Sequence, residues 1–464
     1  MSRRLAGFGA AREPRRRVAS QHGRIRRSSR CNDRRPFRVS VKQTVPAELS
    51  QNSDGMPVRR ILAFISLSGV AALTPLIVIP ALTSEFGARG FASLALGQAL
   101  GTFAATFAMF GWGVAGPSRV AAAEPCDHDR IYTLSLQTRA LVFVVVAPLA
   151  CVVSAWLSSP GFRWSASLAC LGFAVWAFAP TWFLVGRGLP GAVGRYETFP
   201  RFIAAVAAMV LVLWTGSAWA FGAAFLAAGC LVGAVATRQF AMWSKRSKWS
   251  ESRVYLRENL PLAASSLVSS SYTSLALPLV SIADRPAAAT YAGIDRFRSL
   301  CWMGTFAVAN AFRAWAISAD PAVSRRRARV ALLTTTLAGS ALAAVVAILV
   351  ATADGLIFSG EIEVGVAAAV LLFLTMAIVS LEISLTFHYL APRRLNSQIF
   401  SATILGACVG LPSIFILASS FGADGALAGA LAAELIACGL LLRHAWIAVR
   451  KTDDGLHARA RSST

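Results

Sequence analysis

The sequence predicts an all-α integral membrane protein of about 12 transmembrane helices, arranged as two parallel six-helix lobes around a central cavity. Three observations predict it. Between Ile61 and Trp446 the chain is a succession of apolar stretches of roughly 20 residues, the length that crosses a bilayer as a helix. Basic residues outside those stretches fall in every second connection, and the two halves echo each other at an offset of about 200 residues. Composition agrees: of 464 residues 56% are hydrophobic and only 14% charged, against about 25% charged in an ordinary soluble protein.

The formal charge of +23 would suit a nucleic-acid partner if the basic residues formed a groove, but they are divided between a long tail and many short loops, so none is expected. No C-x-x-C pair occurs among the eight cysteines. Cys151, Cys170, Cys230, Cys301, Cys408 and Cys438 lie inside apolar runs and read as small buried hydrophobes. Neither a disulfide framework, a zinc site nor any cofactor is indicated. The cluster Glu124, Cys126, Asp127, His128 and Asp129 lacks metal-ligand spacing.

Residues 1–57 form a basic tail without apolar periodicity, read as disordered. Met56-Pro57-Val58-Arg59-Arg60 before Ile61 has the form of an ordinary membrane-protein beginning, so translation is expected to start at Met56, with a genuine cytoplasmic tail or a targeting segment as the alternatives. An N-terminal lobe, 58–236, carries spans at 61–83, 91–116, 140–158, 165–186, 202–216 and 218–236. A basic cytoplasmic linker, 237–259, leads to a C-terminal lobe, 260–448, with spans at 260–283, 290–318, 330–353, 364–389, 397–419 and 426–446. A cytoplasmic tail, 449–464, follows.

Loops after even-numbered spans hold 18 Lys or Arg residues, beginning with Arg119, Arg130 and Arg139, then Arg187, Arg195 and Arg201. Loops after odd-numbered spans hold only Arg89, Arg163 and Arg285. The positive-inside rule therefore puts both termini in the cytoplasm. The outer loops are ten residues or fewer, too short for the folded domain that a membrane-bound glycan polymerase or ligase would need.

The repeat aligns Gly90-Phe91-Ala92-Ser93-Leu94 with Thr290-Tyr291-Ala292-Gly293-Ile294, Gln98 with Arg298, and Thr181-Trp182-Phe183 with Thr386-Phe387-His388-Tyr389. Six spans per half keep both lobes in one orientation, so the repeat axis lies along the membrane normal. Gly406 with Gly410, and Gly425 with Gly429, have the spacing of helix-packing pairs.

The basic start, the Pro-containing first span and the segment Pro80-Ala81-Leu82-Thr83-Ser84-Glu85-Phe86-Gly87-Ala88-Arg89-Gly90-Phe91-Ala92-Ser93 resemble the opening of polysaccharide flippases in the multidrug/oligosaccharidyl-lipid/polysaccharide exporter superfamily. The Trp182-Phe183 end of the fourth span and the Tyr291-Ala292 entry to the eighth are similar too, and the likeness runs over residues 58 to 448. It implies a multi-pass transporter of the bacterial cytoplasmic membrane rather than an enzyme. It also implies a lipid-diphosphate-linked oligosaccharide as substrate, destined for O-antigen, capsule or exopolysaccharide, with membrane lipids and other polysaccharide-assembly proteins as partners. The alternative is an ion-coupled antiporter exporting small amphipathic compounds.

Two spans carry the candidate site. The seventh is hydroxylated, and Ser265, Ser266, Ser269, Tyr272 and Thr273 share an arc of about 120°. In the eighth, Tyr291, Asp295, Trp302 and Arg313 lie within about 60° of Arg298, whereas Arg296 points about 160° away. Arg298 is about 12 Å in from the span's outer end, where an arginine is costly unless it faces a cavity or a partner. Its planar fork suits a diphosphate, with Arg313 as second cation and Tyr291 and Trp302 beside it. Snorkelling is the plain reading for Arg313, interfacial placement for Arg296, and neutralisation by Asp295 for Arg298. Glu382 and Glu434, deep in the tenth and twelfth spans, are candidates for ion coupling, or are structural partners of arginines. His388 reads as an interfacial ring.

Overall fold

A computed structural model describes residues 58–241, 249–313, 315–316, 321–393 and 395–462, and these are almost entirely helical. The basic tail 1–57 lies outside the described residues. Among the described residues eight helices are long and apolar enough to cross a membrane. One of them, Leu76–Ala122, has 47 residues and would measure about 70 Å if straight, more than twice the hydrocarbon core. It folds back at Gly87 (φ 62°, ψ −175°), and the 51-residue Ser397–Ile447 folds back at Gly422 (φ 59°, ψ −136°). Those backbone angles are essentially closed to any residue with a Cβ, so two glycines turn two long helices into four spans.

With these breaks the described residues form twelve helices: α1 (58–86), α2 (88–109), α3 (His128–Leu157), α4 (Arg163–Ala174), α5 (Phe199–Thr215), α6 (Trp219–Phe240), α7 (Trp249–Ser274), α8 (Ala287–Arg313), α9 (Pro321–Ile357), α10 (Val366–Leu385), α11 (396–421) and α12 (423–462). Short helical segments extend several of them: Trp112–Ala122 after α2, Thr181–Gly186 after α4 and Ala276–Ala283 after α7. Every span expected from hydropathy falls on one of the twelve. Helix α8 carries Asp295, Arg296 and Arg298 within a few residues, and α7 is rich in hydroxyls, so both are more polar than the other spans.

Helices overrun the spans mostly at the polar ends. Thus α3 begins at His128, and α7 begins at Trp249, so that residues 249–259 of the expected linker are the first turns of α7. Outside the hydrocarbon a helix needs no apolar run, and hydropathy does not register it. Large apolar side chains point outward, among them Val144, Val145, Leu149, Val152 and Trp156 of α3 and Leu333, Leu337, Val345 and Ile348 of α9. Such a belt is what lipid covers. Cys230 and Cys408 belong to this exposed surface, unlike Cys170, Cys301 and Cys438, which are buried as expected.

Among the described residues, helices α1 to α6 pack mainly on one another and α7 to α12 likewise, with α1 and α2 also against α8, all within one compact unit. The GxxxG reading holds at Gly425 and Gly429, where a Cβ would collide with the backbone of residues 413–417. A π-turn at Gly194–Thr198 before α5 has its counterpart at Thr386–Leu390 after α10, close to the repeat offset.

The lobes touch at both ends. Where the turns after α1 and α9 meet, Thr83 Oγ1 lies 3.4 Å from Ser359 Oγ, and the rings of Phe91 and Phe358 are 6.5 Å apart. At the opposite end the first turns of α7 rest on the N-terminal lobe. Tyr255 stacks on Trp112 at 4.3 Å, Arg119 donates to Asn259 (3.0 Å), and Arg130 pairs with Glu251 (3.0 Å). Between these closures lies the site.

Candidate functional site

A cavity of about 310 Å³ opens between the lobes. Helices α1, α2, α4 and α6 give it apolar and aromatic walls, including Phe91, Phe173, Phe221 and Phe225. Its polar groups are Gln98 from α2, Glu197, Thr198 and Arg201 from the π-turn and first turn of α5, and Arg296 from α8. A second chamber of about 370 Å³ continues inside the N-terminal lobe and shares Phe173, Glu197 and Arg201 with the first. The Glu197–Arg201 pair therefore stands where the two meet.

That pair is held from three sides. Arg201 and Glu197 are one helical turn apart and 3.2 Å in contact, the spacing at which opposite charges meet on a helix. Thr181 Oγ1 donates to the other oxygen of Glu197 (2.5 Å), and the Arg201 guanidinium lies 4.6 Å from the centre of the Trp176 ring. Arg201 Nε, Trp176 Nε1 and Trp182 Nε1 are all buried, and none has an acceptor among the described residues. All three residues line the second chamber. Buried donors are nearly always satisfied, so three on one chamber mark a place for a ligand rich in acceptors.

On α8 the two faces part as the helical wheel requires. Arg296 lines the inter-lobe cavity, and no described carboxylate forms an ion pair with it. Arg298 faces the C-terminal lobe, where its Nε and Nη2 both donate to Asp295 Oδ1, at 2.8 and 2.7 Å. Tyr291 is fully buried beside them, within electrostatic reach of Asp295, Arg298 and Glu434. Trp302 is 42% exposed and stacks on Phe306 (4.9 Å). The carboxyls of Glu382 and Glu434 meet across α10 and α12. His388 is buried rather than interfacial, with Nε2 3.1 Å from Thr335 Oγ1. In α7, the hydroxyls of Ser266, Ser270, Ser271 and Thr273 bond back to their own helix, the ordinary resting place of a helical hydroxyl. The side chains of Ser265, Ser269, Tyr272 and Arg313 lie outside the described set.

Sequence reasoning passed over Arg201, Glu197, Thr181, Trp176 and Gln98 as parts of one site. Arg201 stands directly before an apolar run and counts there as a loop cation; the i, i+4 spacing from Glu197 was the available signal.

The family model described as polysaccharide biosynthesis protein matches residues 58–311, more than half of the chain. No curated protein sequence matches it. Among solved structures, the lipid II flippase MurJ in an inward closed conformation superposes with a TM-score of 0.60 at 11% identity, over 83% of this chain and 87% of that one. The eukaryotic MATE transporter AtDTX14 gives 0.51 at 15%, over 83% and 94%. A mutant of the Vibrio cholerae MATE transporter VcmN gives 0.50 at 17%, over 85% and 97%. At these identities the likeness shows the fold, which is that of multi-pass membrane transporters. The chain belongs to the polysaccharide biosynthesis protein family.

Proposed function

We propose that this protein flips a lipid-diphosphate-linked oligosaccharide across the bacterial cytoplasmic membrane for the assembly of a surface polysaccharide, with both termini in the cytoplasm. The observation that carries this reading is the charge of the inter-lobe cavity. Arg201 is balanced by Glu197, which leaves Arg296 as a surplus cation in a chamber with aromatic walls. An anionic head group is the natural complement of such a cavity, and guanidinium donates in pairs to phosphoryl oxygens. The three buried donors of the second chamber suit sugar hydroxyls or the second phosphate. The lipid tail remains in the bilayer. A site for small cations would instead carry net negative charge. Arg298, Arg313, Asp295, Tyr291, Trp302, Tyr272 and Ser269 stay as further candidates for substrate contact, and the Glu382–Glu434 pair for exchange of a proton or cation.

Lipid extracts of a deletion strain test the proposal. A lipid-linked oligosaccharide should accumulate and surface glycan should fall, and Arg296→Ala at normal protein level should lower export by about tenfold, the loss of one charge-assisted hydrogen bond. If no such lipid accumulates and the strain instead becomes sensitive to amphipathic drugs, the chain is an antiporter.

A further inference from the structure

Arg89 and Arg285 are two of the only three basic residues in the outer loops, the side that membrane proteins keep poor in positive charge. They belong to different lobes, in the first turn of α2 and the turn before α8, and they line one cavity of about 330 Å³. No described carboxylate forms an ion pair with either of them. The neighbouring acids turn elsewhere: Asp284 approaches Gly422 and Glu361 approaches Gly87, each 3.2 Å from where a Cβ would stand, and neither lines the cavity.

The remaining polar groups are hydroxyls and a helix end. Ser158, 2% exposed, lines the cavity with a buried hydroxyl that has no partner among the described residues. Ser93 accepts from the Ser159 backbone N–H (3.2 Å) and donates to Arg89 O (2.9 Å), so the loop between α3 and α4 is tied to α2 and shapes the wall. Ala288 and Ala289, in the first turn of the 27-residue α8, complete it, so the positive end of that helix meets the cavity. Two guanidinium groups, an orphaned buried hydroxyl and a helix N-terminus form a donor set with no carboxylate in its lining.

We propose that this seam cavity is a phosphate-binding site, separate from the central chamber, which holds the phosphoryl group of an amphiphile between the two lobes. Its ligand is either the diphosphate of the transported lipid on its way out or the head group of an anionic phospholipid. The site's position on the outer face, and the diphosphate as its ligand, rest on the proposed function; the donor set does not. Because the arginines come from different lobes, a bound phosphoryl group ties the lobes together at this end and must leave when they part there.

The test uses the full chain in phosphatidylcholine nanodiscs with inorganic pyrophosphate as probe. Arg201→Gln with Arg296→Gln removes the central cations, and saturable binding should persist in that background. Adding Arg89→Gln and Arg285→Gln should then weaken it by about tenfold or more, and Ser158→Ala by a smaller factor. Both arginines are exposed, so these variants keep the fold, and the serine variant removes only a hydroxyl. No saturable binding in the first background, or an affinity within twofold after the second pair, overturns the proposal. Competition by phosphatidylglycerol in the nanodisc identifies a head-group site; pyrophosphate binding indifferent to it identifies the carrier diphosphate. The outcome is independent of the deletion-strain lipids, so failure of either reading is visible without the other.

Discussion

Arg139 carries its charge in the middle of the N-terminal lobe. It is 0% exposed, donates to the carbonyls of Ser135, Ala177 and Ala179, and is faced by the rings of Tyr132, Phe178 and Trp182. Ala177 lies in the 3-10 turn Val175–Phe178 and Ala179 just after it, where α-helical bonding is broken, and the guanidinium supplies donors to their two carbonyls. Arg139→Met should cost about 2–5 kcal/mol, the desolvation of two or more carbonyls, read as a lowered melting temperature in fluorescence-detected size exclusion. Arg139→Lys should recover only part, because an ammonium lacks the fork. The sequence hides this role: Arg139 immediately precedes an apolar run and counts there as a loop cation. On α8 the wheel separates Arg296 from Arg298 correctly, but periodicity cannot say which face meets the other lobe. The Glu382–Glu434 pair gives a second prediction at this scale. Glu382→Gln should abolish the dependence of transport on a proton gradient in proteoliposomes while leaving pyrophosphate binding intact; unchanged gradient dependence would make the pair structural.

At the scale of the helix, the first turns of α7 close one end of the inter-lobe seam by contacts of unequal worth. The Arg130–Glu251 pair is 43% and 30% exposed, and such pairs contribute about 0–1 kcal/mol. The Trp112–Tyr255 stack is almost fully buried (1% and 3%), and buried aromatic pairs add about 0.5–1.5 kcal/mol beyond their area. Opening should therefore respond to the stack. Tyr255→Ala should raise maleimide labelling of a Thr106→Cys probe in the second chamber about fivefold in inside-out vesicles, the weight of about 1 kcal/mol, whereas Glu251→Gln should change it less than twofold. This closure was not legible in the sequence, since residues 249–259 are polar and show no apolar period. The spans themselves were legible, because a lipid bilayer is the solvent in which an uninterrupted apolar run of that length is stable as a helix. The turns at Gly87 and Gly422 show why boundaries were less so: a single glycine with positive φ reverses the chain, and helix runs up to it from both sides beyond the apolar run.

For the whole molecule, the distribution of charge predicts an orientation, with the basic connections on the cytoplasmic side. Many of the counted cations, Arg130, Arg139, Arg201, Arg253 and Arg257 among them, lie within helices that overrun the apolar runs, so the count is a property of the span ends rather than of loops. An inverted protein would place the α7 closure outside and the seam cavity in the cytoplasm, so orientation decides which end admits substrate. Two thiols test it. Cys126 is exposed in the connection between α2 and α3, and Gly161, in the turn between α3 and α4, has nothing within 4 Å of an added Cβ. In intact cells a membrane-impermeant maleimide should label Gly161→Cys and spare Cys126, with Cys126 labelled only after permeabilisation. The reverse pattern would place the termini outside. Twelve spans put Cys126 on one side and Arg89 with Arg285 on the other, so a single labelling pattern assigns both ends at once.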